Sequence, residues 1–180
     1  MPKNKQVILG VTAGVAIYKA CDLVRRLRDS DVDVTVIMTE NAKQFISPRL
    51  FEAVSAMKVY SGLFEEPVSW DIEHVALAEK ADLVLIAPAT ANCIAKISAG
   101  ICDDLLTCVV CATKAPVMIC PAMNEQMFLN KITQANIERL TEYGYHFVQP
   151  RKGRLACGKT GTGCLAEVEA IVKEAQRLLC

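Results

Sequence analysis

The chain has 180 residues, 52% of them apolar, and 20 basic side chains balance 20 acidic ones, giving a formal net charge of zero. This length and apolar content fit a single domain over residues 1–180, and a balanced charge without blocks of one sign argues against a nucleic-acid binder. Nine cysteines, an odd number scattered through apolar stretches, read as reduced thiols of a cytoplasmic protein rather than as a secreted disulfide scaffold.

In chain order, Val7 to Leu9 reads as a short strand and Gly10 to Gly14 as a turn of small residues. Lys3 and Lys5 ahead of this stretch imitate a signal peptide, but Gly10, Thr12 and Gly14 interrupt it and a helix follows directly. That helix spans Val15 to Arg28, where Ile17, Ala20, Cys21, Val24 and Leu27 recur at helical spacing. Ser30 to Asp33 is a polar turn, and VDVTVIMT has the β-branched alternation of a strand. Asn41 to Met57 reads as helical, Lys58 to Trp70 as irregular, and Asp71 to Lys80 as a short helix carrying His74. ADLVLIAPAT is apolar throughout, as a strand buried on both faces of a parallel sheet requires. Thr90 caps a helix over Ala91 to Ser98, and Asp103 or Asp104 caps another over Leu105 to Ala112. Cys108 and Cys111 form a C-x-x-C inside this second, wholly apolar helix, so both thiols are expected to face the core. No second such pair and no His pair completes a metal site. APVMICPAMN repeats the buried strand that ends at a proline, and Thr133 to Tyr143 is helical with Gly144 as its stop signal. HFVQP is a last strand, Arg151 to Gly163 a polar glycine-rich loop, and Val168, Ile171, Val172, Ala175, Leu178 and Leu179 mark a closing helix. No apolar run approaches the roughly 18 residues of a membrane span.

Strands alternating with helices predict a three-layer α/β fold, an open parallel sheet of flavodoxin or Rossmann type. Such sheets bind ligands beyond the carboxyl ends of their strands, which directs attention to Thr12–Ala16, Thr39–Asn41, Pro88–Cys93 and Pro121–Met127. The first turn, GVTAGVA, offers backbone N–H groups at a helix start and is a natural phosphate cradle. It lacks the G-x-G-x-x-G spacing, so Glu40 after the second strand does not make a dinucleotide site. Gly153 to Thr160, GRLACGKT, satisfies the P-loop expression, but Gly161 and Gly163 follow where a helix must start. That match is accidental. His146 is read as structural, whereas His74 stands open between a helix-face histidine and an acid/base group. Cys157 differs from the other cysteines in lying in a polar loop, where a thiol meets solvent or substrate.

Four segments together carry a family likeness: PAMNEQM (Pro121 to Met127), RLACGKTGTG (Arg154 to Gly163), APATANCIAKISAGICDDLLT (Ala87 to Thr107) and HVALAEKAD from His74. With them, nearly the whole chain resembles the homo-oligomeric flavin-containing cysteine decarboxylases, and in particular the phosphopantothenoylcysteine decarboxylase type. The resemblance implies an FMN site built from Gly14, Val15, Ala16, Thr39, Asn41, Thr90, Ala91, Asn92, Cys93 and Ala122. It implies a small-molecule substrate held by Asn124 at its carboxylate and by Arg154, Leu155 and Ala156. His74 would be the acid/base of the oxidative half and Cys157 the proton donor of the reductive half. The expected assembly is a homotrimer or a trimer-based dodecamer. Four residues depart from the family pattern: Phe128 for a Trp, Lys131 for a Pro, Cys93 for a Thr and Lys159 for an Asp.

The implied chemistry explains a redox cofactor in a reaction without net oxidation. In an N-acylated cysteine the amine is blocked, so no Schiff base can take the electrons left by decarboxylation. Oxidation of the C–S unit to a thioaldehyde creates that sink, CO₂ departs to give an enethiol, and the electrons return. The implied product is 4'-phosphopantetheine for coenzyme A synthesis. Two alternatives stand beside this reading: a peptidyl-cysteine decarboxylase acting on a ribosomal peptide, and a non-catalytic FMN-binding regulatory subunit. Retention of His74 and Cys157 speaks against the second, and a flavin prenyltransferase of the same fold would lack PAMN and the cysteine loop.

Overall fold

The computed structural model describes residues 4–63, 72–156 and 158–180. Five strands, β1 (Lys5–Val11), β2 (Val32–Met38), β3 (Leu83–Ala89), β4 (Val117–Pro121) and β5 (His146–Phe147), form one parallel sheet in the order β2-β1-β3-β4-β5. This is the flavodoxin-like strand order, whose direction reverses between β1 and β3. The fold expectation is therefore met in its flavodoxin-like form.

Strand periodicity divides the core into two halves. Val7, Leu9 and Val11 of β1, with Leu83, Leu85 and Ala87 of β3, face α1 (Tyr18–Arg28) and α8 (Val168–Leu179). Ile8, Val84, Ile86 and Ile119 face the opposite layer, α3 (Glu73–Lys80), α4 (Ala91–Ala99), α5 (Leu105–Ala112) and α7 (Lys131–Glu142). Every residue of β3 is buried, which is why its sequence shows no alternation. Each fully buried Leu or Ile contributes roughly 1.5–3 kcal/mol by area removed from water.

Three local expectations need correction. Asn41 to Met57 is not one helix: a 3₁₀ turn (Ala42–Gln44) is separated from α2 (Pro48–Ser55), because Ser47 caps a new helix that Pro48 opens. Cys108 and Cys111 do not face the core. The buried side of α5 is Leu105, Leu106, Val109 and Val110, which leaves Cys108 half-buried and Cys111 exposed on the other side. The Cys108 thiol instead donates to the Cys102 carbonyl at 3.4 Å.

Third, the polar segment after β5 is not a loop but an antiparallel hairpin, β6 (Arg151–Arg154) and β7 (Thr160–Cys164). It forms its own two-stranded sheet, and such a unit is marginal unless it packs on something. It docks on the turn after β4, where the Met123 N–H donates to the Gly163 carbonyl at 2.9 Å. Gly163 has φ +150°, and a Cβ there would collide with the Met123 carbonyl oxygen. Gly163→Ala is therefore expected to cost about 2–4 kcal/mol from backbone strain and overpacking. The check is a lower denaturant midpoint at unchanged m-value.

Candidate functional site

The carboxyl ends of β1 and β3 are fastened to each other by one buried hydroxyl. Thr12 Oγ1 donates to the Pro88 carbonyl at 2.7 Å and accepts the Thr90 N–H at 3.0 Å. Thr90 in turn caps α4, its Oγ1 accepting the Cys93 N–H at 3.2 Å. The strand-order reversal thus carries a rigid floor from which two chain segments diverge. After β1, the Ile17 N–H closes a turn on the Gly14 carbonyl at 2.9 Å. The amides of Val15 and Ala16 precede that bond and belong to the helix start, where N–H groups lack intrahelical partners.

Above this floor lies a cleft of about 620 Å³. The β1 turn supplies Ala13 to Ala16, the β3 end Thr90 and Ala91, and the β4 end Ala122, Met123 and Asn124. The hairpin closes the remaining side with Arg151, Arg154, Leu155 and Ala156. The volume falls in the usual range for small-molecule sites. A larger open groove of about 730 Å³ runs along α3 past Lys5, Glu79 and Asp82. It lies at the amino ends of β1 and β3 and gathers surface charges such as the Lys5–Asp82 pair, whereas ligands of such sheets bind beyond the carboxyl ends, so the 620 Å³ cleft is the better candidate.

Asn124 is the N-cap of the short helix α6 (Glu125–Phe128), its Oδ1 accepting the Gln126 N–H at 2.9 Å. That bond identifies the oxygen of the side-chain amide and makes Nδ2 the donor end, the chemistry needed to meet a carboxylate. The electrostatics of the cleft agree. Lys19, Arg151 and Arg154 line it. Glu167 lies 3.6 Å from Lys19 Nζ and 2.7 Å from Arg151 Nε. The second contact is a charge pair rather than an aligned hydrogen bond, since Arg151 Nε finds no acceptor of proper geometry among the described residues. Three cations beside one carboxylate leave the cleft suited to phosphate or carboxylate groups.

The cleft therefore assembles Gly14, Val15, Ala16, Thr90, Ala91, Ala122, Asn124, Arg154, Leu155 and Ala156 from four separate parts of the chain. Other sequence candidates stand apart from it. Thr39 is half-buried, its Oγ1 accepting the Ala42 N–H, while Asn41 and Asn92 are exposed outside the cleft lining. Cys93 points into the core with Ile94 and Ile97, and burial pushes its thiol up to about 12, so it stays neutral. His74 sits half-buried in the first turn of α3, on the sheet face opposite α1, and does not line the cleft of its own chain. Cys157 lies outside the described residues. Sequence reading missed Lys19, Phe45 and Arg151 as lining groups. Only the paired cations of Arg151-Lys152 offered a signal. Among the described residues, no group of His, Cys, Asp and Glu could hold a metal ion, and no helix is long and apolar enough to cross a membrane.

Comparison with known proteins agrees with this geometry. The chain is 46% identical over 177 residues to the coenzyme A biosynthesis bifunctional protein CoaBC of Bacillus subtilis, covering 98% of this chain and 44% of that protein. It thus spans less than half the length of such bifunctional relatives. A Streptococcus mutans protein named "Probable phosphopantothenoylcysteine decarboxylase" is 41% identical over 98% of this chain and 99% of its own length. Among solved structures, the FMN-dependent cysteine decarboxylase SpaF superposes with a TM-score of 0.86 at 30% identity, covering 98% of both chains. A mutant PPC decarboxylase complexed with pantothenoylaminoethenethiol gives 0.85 at 28% identity, over 97% of this chain and 98% of that one. The sequence profile of the Flavoprotein family matches residues 1–179, and the chain belongs to that family.

Proposed function

We propose that the chain binds FMN in this cleft and decarboxylates 4'-phosphopantothenoylcysteine to 4'-phosphopantetheine. The observation that carries the reading is the convergence of the Asn124 amide with Arg154, Leu155 and Ala156 over a floor of small residues. That floor fits a flat ring: Ala13, Ala91 and Ala122 leave room for a planar group, and the amides at Val15 and Ala16 suit a terminal phosphate. When bound, FMN supplies a two-electron acceptor and donor.

The chain's own groups would supply the rest. Asn124 Nδ2 orients the substrate carboxylate by hydrogen bonds without neutralising it, so its charge can disperse as CO₂ leaves. Arg154 and the Leu155–Ala156 backbone cover the acyl-cysteine from the hairpin side, and Cys157 delivers the proton that returns to carbon. His74 takes up a proton during substrate oxidation, and in this reading a second copy brings it to the cleft. The cleft edge supports that assembly, because Val15, Tyr18, Phe45 and Met127 all line it while remaining at least half exposed. Such a rim of large apolar groups marks an interaction surface. We assign the assembly to a homotrimer or a trimer-based dodecamer and the location to the cytoplasm, where free thiols persist.

The test is direct. The purified protein is expected to be yellow, to release FMN rather than FAD on denaturation, and to liberate CO₂ from phosphopantothenoylcysteine. Light scattering should report at least a trimer. A colourless protein that cannot be reconstituted with FMN sinks the reading. CO₂ release only from a peptide ending in cysteine transfers it to the peptidyl-cysteine class.

A further inference from the structure

Glu125 follows the substrate-facing Asn124 directly, yet its side chain turns the other way, toward the hairpin. Its Oε1 accepts the backbone N–H of Thr162 at 2.7 Å, across 37 residues of chain. Gly161 makes the space for this bond: a Cβ there would lie 2.6–2.7 Å from the three carboxyl atoms of Glu125. Gly161 is buried and Glu125 half-buried, so the carboxylate occupies a notch in β7 rather than open water. The neighbouring contact, Met123 N–H to the Gly163 carbonyl, joins the same two segments. The hairpin has no place in the main sheet, so such contacts determine where it sits.

The consequence concerns the gap between two walls of the cleft. One wall is Asn124, fixed at the start of α6, and the other is Arg154 to Ala156 at the end of β6. We infer that Glu125 is a positioning residue that, through the Thr162 N–H and the Gly161 notch, clamps the hairpin against the Asn124 turn and sets the gap that receives an acyl-cysteine. This rests on the decarboxylase reading above. Glu125 itself touches no reacting atom; it acts through the hairpin.

The clamp is expected to show as binding rather than chemistry. In the FMN-loaded enzyme, Glu125→Ala should raise KM for phosphopantothenoylcysteine by about tenfold or more, the worth of one charge-assisted hydrogen bond. Substrate and transition state share the gap, so kcat should change by less than about threefold. Glu125→Gln keeps an acceptor oxygen at the same reach and should restore KM to near the original value. Glu125→Asp keeps the charge but not the reach and should resemble Glu125→Ala. Gly161→Ala fills the notch from the other side and meets only the flexible end of Glu125, so the hairpin tolerates it. It should raise KM similarly, and the double variant Gly161→Ala/Glu125→Ala should be no worse than either single one.

Hydrogen exchange of the Thr162 amide, measured on the holoenzyme without substrate, reads the clamp independently of activity. Exchange should be faster in Glu125→Ala and unchanged in Glu125→Gln. Unaltered Thr162 exchange in Glu125→Ala overturns the inference, as does a fall in kcat at constant KM or simple additivity of the two variants. If the wild-type protein releases no CO₂ from this substrate, the decarboxylase reading fails, and Thr162 exchange then decides alone whether Glu125 holds the hairpin.

Discussion

Asn124→Asp is expected to lower kcat/KM for phosphopantothenoylcysteine by about a thousandfold while fold and FMN content stay unchanged. The loss of a hydrogen bond to a charged group is worth roughly 1.5–3 kcal/mol. A like charge placed about 4 Å away adds repulsion of up to about 4 kcal/mol at the effective dielectric of such sites. The substitution is clean because Asp caps helices as well as Asn does. The bond from the Gln126 N–H to the side-chain oxygen, 2.9 Å in the native chain, can therefore persist. Asn124→Ala would sacrifice the cap as well, at a cost of about 1 kcal/mol, and confuse binding with folding. The sign of the pH response is a further check. The introduced carboxylate loses its charge as pH falls through its pKa, which the substrate carboxylate beside it raises above about 3.9. The deficit should therefore shrink in acid relative to the wild-type enzyme. Normal affinity and turnover in this variant would refute the carboxylate role.

Much of this architecture could be read from the residues because the relevant forces are local or periodic. β3 and β4 sit between two helical layers, so their sequences are apolar without alternation, and residues that follow them, Thr90 and Ala91 and Ala122 to Asn124, line the cleft. The span of α5 was read from its residues, but its cap stayed open between Asp103 and Asp104; Asp104 is the one that caps, in a reciprocal box with Thr107. Which way α5 faces was not legible. LLTCVVCA is apolar all round, so periodicity cannot distinguish the side bearing Val109 and Val110 from the side bearing Cys108 and Cys111. The β6–β7 hairpin was hidden for another reason. RKGR has no β-branched residue, TGTGC interleaves its two threonines with glycines so that no apolar face shows, and the pair is held by contacts to Met123 and Glu125 far away in sequence. Cys93 was singled out by its place in a segment that opens the cleft, and periodicity alone did not reveal that a helix turn carries its side chain into the core. Phe45 and Lys19 reach the cleft from a short 3₁₀ turn and from within α1, and no spacing rule singles them out.

Cys157→Ser is expected to separate the two halves of the reaction and to reduce multiple turnover by at least about a hundredfold, within the range for loss of a general acid. The residue follows Arg154, Leu155 and Ala156, all lining the cleft, so the assignment rests on chemistry and on that neighbourhood. An ordinary cysteine thiol, with a pKa of about 8.5, is mostly protonated at neutral pH and can donate to carbon. A serine hydroxyl is a far weaker acid but similar in size, so substrate should still bind and oxidation should proceed. A single turnover in the absence of oxygen should release CO₂ in amounts matching the bound flavin. The flavin absorbance should then bleach and stay bleached, and an enethiol product lighter than the saturated thiol by two hydrogens should be trapped and weighed. Cys108→Ser and Cys111→Ser serve as controls, because both thiols sit on the outward side of α5 and neither lines the cleft. If Cys157→Ser turns over normally to the saturated thiol, the proton comes from another group. If it blocks bleaching altogether, Cys157 acts in substrate binding or cofactor geometry, and the donor must be sought elsewhere among the groups around the hairpin.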